Sequence, residues 1–190
     1  MKGEWCFFQK RFTPEWCNAV VSVIKSRQPQ DAAIGVDGKT TDEAMRKSKI
    51  WFINKGDPEL GMLFDELWKM AIQANDDWLQ IHITKLDYIQ IAEYDAAYKG
   101  EYKQHHDIFY MNGDPEYHRK LSCVIQLTDP STYEGGDLEF YHLAQYPAAG
   151  VLREQGTAVF FPSYTLHAAT PVTKGRRYSI AAWFDGPKWR

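Results

Sequence analysis

The chain is organised around one stretch, Tyr102-Lys103-Gln104-His105-His106-Asp107. Side chains two residues apart on an extended strand point to the same face, so His105 and Asp107 are predicted to share a face and His106 to point the other way. Tyr102 is expected on the face opposite to His105 and close to it along the strand. An imidazole and a carboxylate are two thirds of the facial triad that binds non-haem iron, although a His-x-Asp pair alone also occurs by chance.

A second histidine follows sixty residues beyond Asp107. His167 closes the segment Phe160-Phe161-Pro162-Ser163-Tyr164-Thr165-Leu166-His167. In a jelly roll, strands that are distant in sequence can meet at one mouth, so we expect His105, Asp107 and His167 to converge. The other histidines lack partners at ligand spacing, and none of them is expected to bind a metal.

Arg177 lies ten residues beyond His167, on the next predicted strand. A guanidinium that points into a barrel is costly unless it is paired, and its planar fork fits a carboxylate. Ser179 lies two residues further on the same face and could add a hydroxyl donor. The alternative is a structural ion pair between Arg177 and Asp137 or Glu139.

Length and charge limit the classes of protein to which the chain can belong. Its 190 residues predict a single domain over 1–190 that is large enough to bury a core. The formal net charge of −3 disfavours nucleic acid as a partner, and no run of about 18 apolar residues indicates a membrane span. The first residues lack the apolar region of a secretory signal. Three cysteines without metal spacing indicate a reducing compartment, so the cytoplasm is expected, and the oligomeric state stays open.

Helices are predicted early in the chain and strands later. Thr13 and Pro14 are expected to begin a helix over 14–26, and a second helix is predicted over 57–75. The polar segment 31–49 fits either a solvated loop or a mobile lid. Short strands bounded by turn residues are predicted over 4–8, 50–53, 88–94, 101–107, 121–127, 138–141, 157–161, 167–172 and 178–184.

The order of these elements predicts the fold class. Seven Trp and eleven Tyr suit a core that is mainly β. Many short strands after two helices favour a jelly roll or a sandwich, with helical support over about 1–80 and a core over about 81–185. The predicted class is therefore α+β, mainly β.

Several motifs occur together, most of them within residues 86–184. Tyr94, followed by Tyr102-Lys103-Gln104-His105-His106-Asp107, matches a Tyr, then Tyr-x-x-His-x-Asp, segment. Gly135-Gly136-Asp137-Leu138-Glu139-Phe140 and the run from Phe161-Pro162-Ser163 to Arg177 match later motifs, and Arg46-Lys47-Ser48 matches the Arg-x-Ser of a substrate-covering loop. In these residues the chain resembles the Fe(II)/2-oxoglutarate-dependent dioxygenases, in particular the prolyl 4-hydroxylase-like branch.

Two positions depart from the pattern of that branch. Many animal, plant and algal prolyl hydroxylases carry Lys where this chain has Arg177, and either cation can hold a carboxylate. Several relatives carry a Tyr near the position of Ile125, so one hydrogen bond to the cosubstrate is expected to be absent or replaced. These differences leave the subfamily and the substrate open.

The resemblance implies a double-stranded β-helix, or jelly roll, with supporting N-terminal helices and hydroxylase activity. It implies Fe(II), 2-oxoglutarate as cosubstrate and O2, with ascorbate as a candidate reductant. The implied site residues are His105, Asp107 and His167 for the metal and for catalysis, Arg177, Tyr94 and Ser179 for 2-oxoglutarate, and Arg46, Tyr102 and Trp183 for the substrate.

The implied substrate is a prolyl residue of a peptide or protein. A second hypothesis is an oxygenase that acts on a free amino acid, a lysyl side chain or a nucleobase. A third is a non-catalytic jelly-roll binding module, against which the complete triad and the spacing of Arg177 argue. For Trp183, core packing is an equally good explanation.

Overall fold

Within the described part of the chain, two α-helices precede most of the β-structure. Helix α1 spans Pro14–Lys25 and helix α2 spans Leu63–Ala74, which a π-helical turn over Asn75–Leu79 continues. Neither helix has the length and apolar character that crossing a membrane requires. These elements belong to a computed structural model that describes residues 2–31, 44–108, 110–111, 114–148 and 150–189.

A side chain caps the start of α1, whereas α2 begins without a side-chain cap. The predicted start of α1 is confirmed, because Oγ1 of Thr13 accepts a backbone N–H of the first turn at 3.3 Å. The second helix begins at Leu63 and not at 57. Oδ1 of Asp57 accepts the N–H of Leu60 at 2.9 Å and closes a separate turn, and the guanidinium of Arg27 holds the same carboxylate with two N–H groups.

Most of the remaining regular structure consists of antiparallel strands of two to thirteen residues. In the residues that the structure describes, the strands are β1 (Cys6–Phe8), β2 (Gln30–Asp31), β3 (Arg46–Lys47), β4 (Lys49–Asn54), β5 (Tyr88–Asp95), β6 (Glu101–His105), β7 (Tyr110–Met111), β8 (Asp114–Gln126), β9 (Glu134–Gly135), β10 (Leu138–Phe140), β11 (Ala158–Pro162), β12 (His167–Ala169), β13 (Val172–Lys174) and β14 (Arg176–Pro187). The major sheet has the order β1-β11-β8-β14-β5-β4-β2, with β7 paired to β8. The minor sheet has the order β10-β12-β6-β3, and β13 pairs with β9.

The major sheet is buried on both faces. Along β14, Tyr178 and Ile180 join the core that includes both helices, whereas Arg177 and Ser179 point the other way. On that second face, Tyr94 packs with Ala169 of the minor sheet. Helices on one face and a second sheet on the other confirm the predicted mainly β jelly roll with helical support.

Two predicted segments differ from the structure. The segment 31–49 is not one loop, because Asp31, Arg46–Lys47 and Lys49 all lie in strands, while 32–43 are outside the described residues. The predicted strand 167–172 is two strands in different sheets, β12 and β13. Pro171 lies between them and lacks the N–H that a continuous ladder would need.

Gly156 connects α1 to the major sheet, and replacing it is expected to destabilise the fold. Its φ is +81°, and an added Cβ would lie 1.8 Å from the carbonyl oxygen of Phe12. Gly156→Ala is expected to lower the free energy of unfolding by about 2–5 kcal/mol. Gly150 is the control: it has a φ of +91° but no described atom within 4 Å of the added Cβ, so Gly150→Ala should cost only about 1–2 kcal/mol. Urea unfolding of both variants measures the difference, and equal losses would contradict the predicted clash.

Candidate active site

Three predicted side chains converge at the end of the minor sheet. His105 ends β6 and lies directly across from His167, the first residue of β12. Asp107 lies two residues beyond β6, and its N–H donates to the carbonyl oxygen of Ser163 at 2.9 Å. Nε2 of His105 is 3.6 Å from Oδ1 of Asp107, and Nε2 of His167 is 3.5 Å from Oδ2. One ligand atom from each residue thus lies within 4.8 Å of the other two, a spacing that suits a metal ion.

Backbone carbonyl groups orient both imidazole rings. Nδ1 of His105 lies 2.7 Å from the carbonyl oxygen of Lys103, and Nδ1 of His167 lies 2.9 Å from that of Thr165. When Nδ1 carries the proton, it donates to the carbonyl oxygen and Nε2 keeps its lone pair for a metal. Burial, together with the neighbouring His167, lowers the pKa of His105 to about 4, so its ring is neutral near pH 7.

Asp107 is ionised although it is buried. Burial raises the pKa of its carboxyl group, but the neighbouring His167 and His105, the guanidinium of Arg119 and a hydrogen bond from Ser122 outweigh burial and hold the pKa below its usual value. The site therefore presents a carboxylate beside imidazole nitrogens, which is the donor set of a 2-His-1-carboxylate triad.

Tyr102 shares a face with His105, so its predicted opposite orientation is wrong. His105 pairs with His167, and Tyr102 pairs with Ala169. Two residues that are three positions apart on β6 therefore pair with two that are only two positions apart on β12. This bulge reverses the alternation, and the Tyr102 ring stacks on the His105 ring with centroids 3.5 Å apart. Arg46, which is only 7% exposed, lies on Tyr102 with its Cζ 4.6 Å from the ring centroid. Arg46, Tyr102 and His105 therefore form one stacked column.

Arg177 is buried on the face of the major sheet that turns away from the helices. The residue is 2% exposed, and its Nε and Nη2 donate to Oε1 of Gln126 at 3.1 and 3.0 Å. Tyr94 is its partner across β5, with the ring centroid 5.3 Å from the guanidinium carbon. Ser179 lies across from Gln126 on β8. The predicted grouping of Arg177 with Tyr94 and Ser179 on one face is therefore present, with Gln126 added to it.

The alternative of a structural ion pair for Arg177 does not occur in the structure. Asp137 accepts a hydrogen bond from Arg153, and Glu139 accepts one from the hydroxyl of Tyr141 at 2.7 Å. No ion pair between described residues includes Arg177. A buried guanidinium whose contact is an amide oxygen is an electrostatically favourable position for a ligand carboxylate.

Trp183 lies on the same face of β14 and close to the triad. It is the cross-strand partner of Ser122, whose hydroxyl donates to Asp107. The guanidinium of Arg119 lies 3.8 Å from the Trp183 ring centroid, and its Nη2 donates to the hydroxyl of Tyr88 at 2.5 Å. The indole Nε1 is buried and has no hydrogen-bond partner among the described residues. These groups form an aromatic and cationic wall beside Asp107.

The sequence over residues 89–185 matches the family model described as 2OG-Fe(II) oxygenase superfamily, which is half of the chain. The chain belongs to the 2OG-Fe(II) oxygenase superfamily. The matched region of this oxygenase contains the complete triad, Arg177 and Trp183.

Relatives and solved structures agree with this assignment. The oxygenase is 29% identical over 162 residues to a PKHD-type hydroxylase of Aliarcobacter butzleri, covering 79% of this chain and 67% of that protein. It spans only 28–38% of the length of seven further PKHD-type hydroxylases. A Pseudomonas putida prolyl-4-hydroxylase has the same fold at a TM-score of 0.75 and 21% identity, covering 96% of this chain and 92% of that one. A Trichoplax adhaerens prolyl hydroxylase, in complex with a hypoxia inducible factor oxygen degradation domain peptide fragment, has a TM-score of 0.71 and 16% identity, covering 96% and 83%.

Fe(II), 2-oxoglutarate and O2 are the cofactor and cosubstrates of this superfamily, and the residues present fit the first two. The triad supplies the donor types for Fe(II), and the buried Arg177 supplies a cation for a carboxylate of 2-oxoglutarate. Ile125 is fully buried in the core that contains the helices, so its side chain points to the face of the sheet opposite to Arg177. Gln126, the next residue, contacts Arg177 instead.

Three residues at the site were assigned no role from the sequence, although the segment Arg119-Lys120-Leu121-Ser122 also resembles a motif of the same family. Gln126, Ser122 and Arg119 contact Arg177, Asp107 and Trp183, respectively. The available signal was the alternation along β8, which puts Ser122 and Gln126 on one face. Arg119 reaches that face only because the pairing of β8 with β14 shifts by one residue next to it.

Proposed function

We propose that this oxygenase hydroxylates a prolyl residue in a peptide or protein, using Fe(II), 2-oxoglutarate and O2, with ascorbate as a candidate reductant. One observation carries the proposal. Asp107 of the triad accepts from Ser122 and Arg177 donates to Gln126, and these two partners lie on one face of β8. Arg177 has no carboxylate partner among the described residues. A binding module without catalysis would have no use for such a buried cation, which is costly to desolvate.

We assign the metal to Nε2 of His105, Nε2 of His167 and the carboxylate of Asp107. When bound, Fe(II) and 2-oxoglutarate activate O2, so that one oxygen atom enters the substrate while 2-oxoglutarate is converted to succinate and carbon dioxide. Two backbone carbonyl groups accept from Nδ1 of the imidazoles and so fix the direction of each Nε2. The two sheets shield the triad from bulk water.

For 2-oxoglutarate we propose that Arg177 binds the carboxylate that is remote from the metal. Gln126 occupies the edge formed by Nε and Nη2, so the end formed by Nη1 and Nη2 is left for two parallel hydrogen bonds. Tyr94 lies across from Arg177 on β5, Ser179 lies two residues further along β14, and both supply hydroxyl donors. Burial strengthens each of these contacts, because the competing water is excluded.

On the substrate side we propose Trp183, Tyr102 and Arg46. Trp183 offers a flat ring and an indole N–H beside Asp107, which suits a prolyl ring and a peptide carbonyl. Tyr102 and Arg46 belong to the stacked column that ends on His105, and we propose that this column lines the position of the substrate. Nε of Arg46 donates to Oγ of Ser48 at 2.7 Å. Its Nη groups have no hydrogen bond to a described residue, and we assign them to a peptide backbone.

The choice of a peptidyl substrate is supported by similarity. The curated relatives are named PKHD-type hydroxylases, and the structure from Trichoplax adhaerens contains a bound peptide fragment. The formal net charge of −3 argues against a nucleic acid. A free amino acid and a lysyl side chain are the remaining alternatives to be tested beside peptides.

We further propose that the protein works in the cytoplasm. Its three cysteines, Cys6, Cys17 and Cys123, are all free thiols. Burial raises the pKa of Cys6 to about 12 and that of Cys17 to about 11, so both stay protonated and unreactive. Fractionation of the source cells checks this location, and recovery outside the cytoplasm would contradict it.

The function is tested by succinate formation with and without proline-containing peptides, with mass spectrometry of the peptides for one added oxygen atom. Trp183→Phe keeps an aromatic side chain but removes the five-membered ring with its N–H, so the KM for the peptide is expected to rise by about 3–10-fold or more, of which about 3–10-fold is the cost of the lost hydrogen bond. Mn(II) binding should be unchanged. Trp78→Phe is the matched control, because Trp78 is half exposed and packs near Gly3, away from the triad. If a free amino acid, a lysyl peptide or a nucleic acid stimulates succinate release and no prolyl peptide does, the prolyl assignment is wrong.

A further inference from the structure

Two buried hydroxyl groups lie behind Asp107, and the proposed reaction does not use them. Ser122 is 1% exposed and Ser163 is 0% exposed. Oγ of Ser122 donates to Oδ2 of Asp107 at 2.7 Å, and the two serine Oγ atoms are 2.9 Å apart. The three side chains therefore form one continuous chain of hydrogen bonds.

The donor and acceptor roles in these two hydrogen bonds follow from the number of protons that are available. A carboxylate that binds a metal is ionised and can only accept, so the single hydroxyl proton of Ser122 points to Asp107. The hydrogen bond between the two serines then needs the proton of Ser163. The order is Ser163 to Ser122 to Asp107, and it leaves Oδ1 of Asp107 without a donor from this pair.

The backbone around Asp107 explains why such support is needed. β6 ends at His105, so Asp107 lies beyond the strand pairing that fixes the two histidines. Ser163 holds Asp107 twice, because its carbonyl oxygen accepts the Asp107 N–H at 2.9 Å and its hydroxyl reaches the carboxylate through Ser122. Ser163 is itself anchored, since its N–H donates to the carbonyl oxygen of Lys120 on β8 at 3.0 Å.

We propose that Ser122 and Ser163 are positioning residues for the metal. They hold the Asp107 carboxylate by Oδ2 and leave Oδ1, which lies 3.6 Å from Nε2 of His105, for the metal. This inference rests on the metal site proposed above. It adds that the affinity for the metal depends on an ordered relay in which the hydroxyl group of Ser163 acts only through Ser122.

Mn(II) binding by calorimetry tests the relay. Ser122→Ala is expected to weaken binding by about 10–100-fold, the range found when a hydrogen-bond partner of a ligand is lost. Ser163→Ala frees the hydroxyl of Ser122 to rotate, and a loss of about 3–10-fold is expected. In a Ser122→Ala background, Ser163→Ala should cause no further loss. The visible absorption spectrum of Co(II)-loaded protein should change in Ser122→Ala, because it reports on ligand geometry.

Thr157→Val is the matched control. Thr157 is 1% exposed, and its hydroxyl accepts the N–H of Lys10 at 3.1 Å, just before the far end of β11. This variant loses a buried hydroxyl and some thermal stability, but it should keep the wild-type affinity for Mn(II) and the wild-type Co(II) spectrum.

The outcomes separate the inference from the function on which it rests. If the wild type does not bind Mn(II), the proposed metal site is wrong and the inference falls with it. If the wild type binds and Ser122→Ala binds equally well, only the inference is wrong. Additive losses in the double variant would contradict the ordered relay. Should Ser122→Ala fail to fold, Ser163→Ala decides, because it keeps the carbonyl group that holds Asp107, and unchanged affinity and spectrum in it would overturn the proposal.

Discussion

His167→Ala is expected to abolish measurable Mn(II) binding, with a rise of more than about 100-fold in the dissociation constant. Losing only a hydrogen bond behind a ligand costs about 10–100-fold, and this change removes the ligand itself. The remaining pair, His105 and Asp107, comes from one strand and its extension, and cannot enclose an ion without the third donor from β12. Calorimetry with Mn(II) on the purified wild type and variant measures the change.

His106→Ala is the matched control for this result. His106 is adjacent to His105 in sequence but is exposed, and its Nδ1 lies 2.6 Å from the carbonyl oxygen of Tyr164. Its removal should leave the affinity for Mn(II) close to the wild-type value. Wild-type affinity in His167→Ala, or a large loss in His106→Ala, would show that the ligand assignment is wrong.

Arg177→Ala is expected to raise the KM for 2-oxoglutarate by about 30–150-fold. Losing a charge-assisted, bidentate contact to a carboxylate costs about 2–3 kcal/mol, and each 1.4 kcal/mol is about tenfold in affinity. In the same variant, Oε1 of Gln126 would lose both hydrogen bonds from Arg177, so the Gln126 side chain would also be less ordered. Steady-state succinate formation gives the KM, and the affinity for Mn(II) should stay near that of the wild type because Arg177 does not contact the triad.

Arg176→Ala is the control for Arg177→Ala. Arg176 is the preceding residue on β14 but points to the other face, where its Nε donates to Oδ2 of Asp95 at 2.6 Å and its guanidinium also pairs with Glu93. Its side chain is half exposed, so its loss should cost little stability and leave the KM for 2-oxoglutarate unchanged. An unchanged KM in Arg177→Ala would move the carboxylate site to another cation, with Lys174 the next to be tested.

The elements that depend on local contacts could be predicted from the sequence. Helix α1 begins at Pro14 because the Thr13 side chain caps its first turn, and this bond joins residues three apart. Helix α2 shows the limit of such reasoning. Its start moves to Leu63 because Asp57 is held in a turn and bound by Arg27, a residue thirty positions earlier that no local pattern connects to it.

The chemistry of the site could be predicted further than its geometry. The residue types His105, Asp107 and His167 were enough to propose the metal donors, and the family resemblance implied Arg177 as the cation for 2-oxoglutarate. The orientation of Tyr102 could not be predicted, because strict alternation of side chains fails at a bulge. Arg46 was expected to contact the substrate, and its burial against Tyr102 depends on the pairing of β3 with β6.

The sequence by itself therefore determined the types of side chain at the site and the strands that carry them, because donor chemistry and strand period are local properties. Only the tertiary structure decided which groups support those side chains. Gln126 reaches Arg177, and Ser122 and Ser163 reach Asp107, across strands whose register is set by packing of the whole sheet. A shift of one residue in that register would turn each of these side chains to the other face, so their roles depend on contacts that no single segment contains.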